Sequence, residues 1–137
     1  MNRRVARIKS VQALYQVEMT GVDPDEAIEV ALEEDETTDP FLQDLVHGTL
    51  QYLIEIDAML EEALEHWTLQ RLSRIDRAIM RQCVYEMKYV EEVPVNVSIN
   101  EAVDLAKGFH AEEESGRFVN GVTSKVAEMI QTNTGGE

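Results

Sequence analysis

Apolar side chains recur at steps of three and four along almost the whole chain, a period that fits helices and leaves little room for a sheet. Ile75, Ile79, Cys83 and Met87 form one such stripe, and Phe118, Val119, Val122, Val126 and Ile130 form another. Alternation of the strand type occurs only briefly, at VPVNVSI over residues 93–99. An all-α fold is therefore expected. With 137 residues, 44% of them hydrophobic, the chain can bury one core, and with no internal repeat a single domain over residues 1–137 is the expectation.

Local signals place the helices. The first is expected from Arg3 to Thr20, with Gly21 ending it. Asp23-Pro24 offers an N-cap followed by proline at the first helical position, where its missing N–H costs nothing, and opens a shorter helix through Ala27, Ile28, Ala31 and Leu32. Asp39-Pro40 repeats the device. Phe41, Leu42, Leu45, Val46, Leu50, Leu53, Ile56, Leu60 and Leu64 then predict one long central helix to about Glu65, bent at Gly48. A short turn or helix over Trp67 to Leu72 precedes Ser73-Arg-Ile-Asp76, a capping-box pattern with Asp in place of Glu that opens a helix to about Tyr89. Pro94 breaks the chain. Ser98-Ile-Asn-Glu101 is a full capping box for a helix ending at Lys107-Gly108, and the last helix gives way to a frayed tail from about residue 131.

Charge is strongly uneven. The formal net charge is -15, yet Arg3, Arg4, Arg7 and Lys9, four of only twelve cations, crowd the amino end. No Lys or Arg follows between Ser10 and Gln70, while sixteen acids accumulate from Glu18 to Glu65. A second cationic group, Arg71, Arg74, Arg77 and Arg81, comes next. Clustered arginines bind phosphates within a Debye length of ~8–10 Å, so the negative total does not exclude RNA. A solvated or salt-adapted surface explains the abundance of acid but not its clustering.

Several classes of function find no support. There is no glycine-rich phosphate loop, no G-x-S-x-G elbow and no H-E-x-x-H, so no catalysis is expected. The pairs Glu33-Glu34 and Glu61-Glu62 read as solvated helix faces. Glu112 to Glu114 read as a loop, since a calcium loop needs spaced oxygen ligands and a turn glycine. His47, His66 and His110 are scattered, so neither a metal site nor a cofactor is expected. Cys83 is the only cysteine and falls on an apolar stripe, as a buried thiol does. No run approaches the ~20 apolar residues of a membrane span, and no signal peptide is recognisable, which together predict a soluble, cytoplasmic protein.

On the first helix Arg3 and Arg7 are four residues apart and share a face, with Arg4 on its flank, which predicts a ridge of guanidiniums. Arginine forks match phosphate oxygens and stack on bases, so such a ridge beside aromatics suits single-stranded RNA. Tyr15 and Phe118 are the candidate stacking rings, with burial in the core as the competing reading of both. For the cations the competing reading is a solubilising terminus, which carries a small cost because positive charge opposes the helix dipole there. RNA or another polyanion and a solubilising terminus both remain open on these grounds.

Four stretches carry a resemblance. They are R-x-x-A-x-x-x-x-V-Q-A-L-Y-Q-x-E from Arg3 to Glu18 and R-L-S-R-I-D-R-A-I-M-R-x-x-x-Y-E-M from Arg71 to Met87. V-S-I-N-E-A-V-D-L-A-K-G-F from Val97 to Phe109 and S-G-R-F-V-N-G-V-T-S-K-V-A from Ser115 to Ala127 complete the set. Together they resemble the NusB family of bacterial transcription antitermination factors, essentially end to end, with I-N-E-A-V-x-L-A-K and F-V-N-G-V the most specific elements.

The resemblance implies about seven helices in two packed bundles, without catalysis. It implies binding of the boxA element of nascent ribosomal RNA leaders, together with NusE, a ribosomal protein, in the complex that keeps RNA polymerase from terminating. Carried over by position, the family's arginine-rich first helix falls on Arg3, Arg4 and Arg7. Its RNA-facing glutamine and tyrosine fall on Gln12 and Tyr15, and the aromatic of the F-V-N-G element is Phe118. An RNA-side arginine falls on Arg81, and the acid facing NusE on Asp76. Where some relatives carry a third consecutive arginine this chain has Val5, which shifts weight onto Lys9 or NusE. Glu114, close to Phe118, opposes RNA. A homodimeric all-α interaction module without RNA binding is the alternative, and a homodimer is a further partner state the resemblance allows. A NusB-like appendage of an RNA methyltransferase is disfavoured by the absence of a nucleotide-cofactor domain.

Overall fold

The computed structural model describes residues 1–110 and 113–135. Seven α-helices and one 3-10 turn account for the regular structure of these residues. Helix α1 spans Arg3–Thr20, begins where Asn2 Oδ1 accepts the Val5 N–H at 2.8 Å, and ends on Gly21 in the left-handed region at φ 72°. Helix α2 (Pro24–Ala31) and α3 (Pro40–Gln51) both start as expected, capped by Asp23 and Asp39 with proline in the first turn. Helix α4 covers Leu53–Ala63, followed by the 3-10 turn Leu69–Arg71. Helix α5 (Arg74–Tyr89) is capped by Ser73, whose Oγ accepts the Asp76 N–H at 3.0 Å. Helices α6 (Val95–His110) and α7 (Glu113–Gly135) complete the fold.

Two groups of helices share one core. Helices α1, α2 and α3 pack on each other, α5 and α7 pack on each other and on both α4 and α6, and α5 also touches α1 and α3. Helix α5, rather than the expected rod over 41–65, is thus the central element, with ten buried residues from Arg77 to Met87. Its apolar stripe inserts Ile79, Met80, Cys83 and Val84 between the two groups at near-zero exposure. Cys83 is buried, and burial pushes its thiol upward, so it stays protonated.

The expected rod is broken at Tyr52, not bent at Gly48. Tyr52 leaves helical geometry at φ -104° and ψ 22°, and its ring stacks on Tyr89 with centroids 4.2 Å apart. That stacking holds the break and lets α4 turn to pack on α7 and α5. Gly48 has a different purpose: a Cβ there would lie 2.1 Å from Tyr85 Cζ, so only glycine admits the ring.

Three further boundaries differ from expectation. Helix α6 begins at Val95, because Pro94 pre-sets a helical φ and its carbonyl accepts the Val97 and Ser98 N–H groups at 3.0 and 3.2 Å. The Ser98-x-x-Glu101 box therefore lies inside the helix, where Ser98 is buried. Helix α6 also continues through Gly108 to His110. Glu113 and Glu114 form the first turn of α7, where acids complement the helix dipole, while Glu112 lies outside the described residues. Helix α7 extends past residue 131 to Gly135, and residues 136–137 of the expected tail lie outside the description. Among the described residues no helix is long and apolar enough to cross a membrane, and no cluster of His, Cys, Asp or Glu could hold a metal.

Candidate nucleic-acid interface

The ridge expected on α1 is divided by burial. Arg3 and Arg4 stand exposed on the first turn, whereas Arg7 is only 3% exposed. Arg7 lies on the face α1 turns toward α5, where its Nε and Nη2 donate to Glu86, the shortest contact being 2.7 Å. Ser98 Oγ donates to the same carboxylate at 3.2 Å, and Gln82 Nε2 donates to the Arg7 carbonyl at 3.3 Å. The Nε and Nη2 donors of Arg7, which could have met phosphate, are thus turned inward. Arg7 is thus not part of a surface ridge.

Lys9 is corrected in the same way. It is buried, and its Nζ reaches Glu33 at 3.4 Å and Glu36 at 3.2 Å, tying the α2–α3 connection to α1. The Glu33 N–H and the Lys9 ammonium both hold the Glu36 carboxyl below its ordinary value.

What remains is a two-arginine lip. Arg3 reaches Glu92 at 3.4 Å and lies over the Phe41 ring at 4.3 Å. Arg4 donates to Glu101 at 3.2 Å and to Asp104 at 3.1 Å. Both are solvent-exposed pairs, and such pairs exchange readily for a phosphate because water screens them. The hydrogen bond and charge of Glu101 raise the Arg4 guanidinium further, which keeps it a permanent cation. Beside Arg4 a mainly apolar groove of about 290 Å³ runs between α1 and α6, lined by Ile8, Leu105 and Phe109. Phe109, 36% exposed, was missed from the sequence, although an aromatic directly after Lys107-Gly108 near a helix end was the available signal.

The two candidate rings occupy separate grooves. Gln12 is exposed and Tyr15 half-buried, and both line a groove of about 250 Å³ between α1 and α2 with Val30 and Ile75. Phe118 is half-buried on α7 and lines another groove of about 300 Å³ with Trp67 and Arg117. Tyr15 and Phe118 thus line different grooves.

The second cationic group is largely structural. Arg77 donates to the carbonyls of Leu69, Gln70 and Leu72 at 3.1, 3.2 and 2.9 Å, closing the 3-10 turn, and also pairs with Glu18. Arg81 grips Asp57 with two bonds of 2.8 and 2.9 Å and reaches Glu18 at 3.3 Å. Arg74 approaches the same Glu18 at 3.9 Å. One glutamate on α1 thus gathers three arginines of α5. Asp76 spends its N–H on the Ser73 cap, while its carboxylate meets His110 Nε2 at 3.0 Å, joining the start of α5 to the end of α6.

A family model for NusB matches residues 4–128. The chain belongs to the NusB family. It is 47% identical over 131 residues to the transcription antitermination protein NusB of Bacillus subtilis, covering 96% of this chain and 98% of that one. T. maritima NusB superposes with a TM-score of 0.82 at 32% identity, covering 93% of this chain and 92% of the other. A crystal structure of antitermination factors NusB and NusE in complex with double-stranded RNA contains a chain with a TM-score of 0.82 at 27% identity, covering 93% and 96%. The all-α NusB architecture expected from the four sequence stretches is thus the one observed.

Proposed function

We infer that the chain is a transcription antitermination factor that binds boxA RNA of nascent ribosomal RNA leaders as a heterodimer with NusE and acts with the RNA polymerase elongation complex in the cytoplasm. The observation that carries this reading is the end-to-end likeness to antitermination proteins, 47% identity over 131 residues in the B. subtilis case. No catalytic role belongs to it.

The physical division of labour follows from charge. Arg3 and Arg4 supply phosphate contacts, and Gln12, Tyr15 and Phe118 supply base-edge and stacking contacts. The acidic remainder repels RNA elsewhere and so limits the footprint to these residues. Arg7, Lys9 and Arg81 act by holding α1, its neighbouring connection and α5 in place rather than by touching RNA. Asp76 is the acid offered to NusE, and a basic ribosomal protein is steered toward the acidic surface more strongly at low salt.

The test is an electrophoretic shift of a boxA-like RNA with the chain alone and with NusE, at two salt concentrations. The expected result is a shift that NusE strengthens and salt weakens. No shift under any of these conditions contradicts the reading.

A further inference from the structure

Trp67 is the only tryptophan, and it is 53% exposed although it is the largest apolar side chain in the protein. Its backbone is not loose. Leu64 and Leu69, on either side, are buried in the core, and Glu65 pairs with Lys125 of α7. The segment is thus pinned at both ends and to α7, with the indole left outside.

Across from it α7 presents Phe118 and, one turn on, Gly121, where an added Cβ would meet nothing within 4 Å. The open, shallow groove of about 300 Å³ sits at the small end of the ~300–1,000 Å³ typical of ligand sites. Arg117 stands at its rim. Arg117 is exposed, and its guanidinium fork has the planar donor geometry that a phosphate takes.

We propose that Trp67 and Phe118 are the two walls of a pocket for one unstacked nucleobase of single-stranded RNA, with Arg117 holding the adjacent phosphate. Two aromatic faces and a cation at a shallow cleft are the elements by which proteins hold single strands, and a paired base cannot enter such a cleft. This pocket rests on the RNA-binding reading above and adds to it a tryptophan in a separate groove from the arginine lip.

The test uses the full chain with NusE and a boxA-like single-stranded RNA, alongside a duplex of the same length. Trp67→Ala is expected to weaken single-strand binding about 5- to 150-fold, the ~1–3 kcal/mol of one stacked base, with an unchanged salt slope. Trp67→Phe is expected to restore most of it. Arg117→Gln is expected to make the salt slope shallower by about 0.7, one phosphate on a single strand. For the chain without NusE, Trp67 emission is a reporter of this groove alone, and quenching by single strand but not by duplex is expected. Wild-type binding that Trp67→Ala leaves intact, or equal quenching by duplex, overturns the pocket while sparing the RNA reading. Failure of the wild-type complex to bind RNA at all overturns both.

Discussion

Arg7 on α1 and Glu86 on α5 form a bidentate ion pair inside the core, with both side chains under 5% exposed and Arg7 Nη2 2.7 Å from Glu86 Oε1. The pair ties the first helix to the central one through deeply buried charged groups, and Ser98 of α6 joins it. Removing one partner strands the other in a low-dielectric site. Arg7→Ala or Glu86→Ala is therefore expected to cost about 3–5 kcal/mol in urea unfolding. A loss below about 1 kcal/mol contradicts the structural role assigned to Arg7.

Gly48 and Tyr85 make a steric test of the α3–α5 contact. The Tyr85 hydroxyl donates to Asp44 at 2.7 Å, so the ring cannot swing away from an added methyl. Gly48→Ala is expected to destabilise by about 1–3 kcal/mol or more. Thermal unfolding of Gly48→Ala in a Tyr85→Leu background measures the coupling, and the alanine is expected to cost much less there.

Asp104 competes with phosphate for Arg4. Asp104→Asn keeps the shape of α6 but removes the carboxylate 3.1 Å from Arg4 Nη2. A few-fold gain in RNA affinity is expected, larger at low salt than at high, and fluorescence anisotropy reads it. Weaker binding by this variant contradicts the competition.

Alkaline titration tests the two tyrosine–carboxylate bonds. Tyr89 donates its hydroxyl to Glu55, and that bond, then partial burial and the Glu55 charge, push its phenol from 10.0 up to about 12. Tyr85 is raised too, by burial and by Asp44. The raised folded value favours the neutral phenol, so the stabilisation is complete below about pH 10 and is lost as pH rises through about 12. Absorbance of the phenolate is expected to show at least two of the four tyrosines resisting ionisation near pH 10. Four ordinary titrations contradict the Tyr89–Glu55 and Tyr85–Asp44 bonds.

Much of the fold was legible because it is written in local rules. Gly21, Asp23-Pro24, Asp39-Pro40 and Ser73 end or begin helices as their backbone chemistry dictates, and the apolar stripe of α5 marks its buried face. The break at Tyr52 was hidden because it is held by a tertiary stack with Tyr89, thirty-seven residues away. Ser98-x-x-Glu101 misled for the converse reason: a sound local cap was overridden by Pro94 and by burial against Glu86. At the candidate site, sequence spacing placed Arg3, Arg4 and Arg7 on neighbouring faces but gave no sign of which face meets α5. A carboxylate seventy-nine positions on decides that Arg7 turns inward. Trp67 escaped notice because one tryptophan in a short connection has no period to reveal its exposure.

The most direct measurement is the salt dependence of boxA RNA binding by the complex with NusE, for wild type and for Arg3→Ala combined with Arg4→Ala. Each single-strand phosphate contact contributes about 0.7 to the slope of log affinity against log salt. Loss of the lip is expected to make that slope shallower by about 1.4, with helical circular dichroism and pairing to NusE unchanged. A slope identical to wild type, in a folded and paired variant, would show that phosphates are met somewhere other than the amino end of α1.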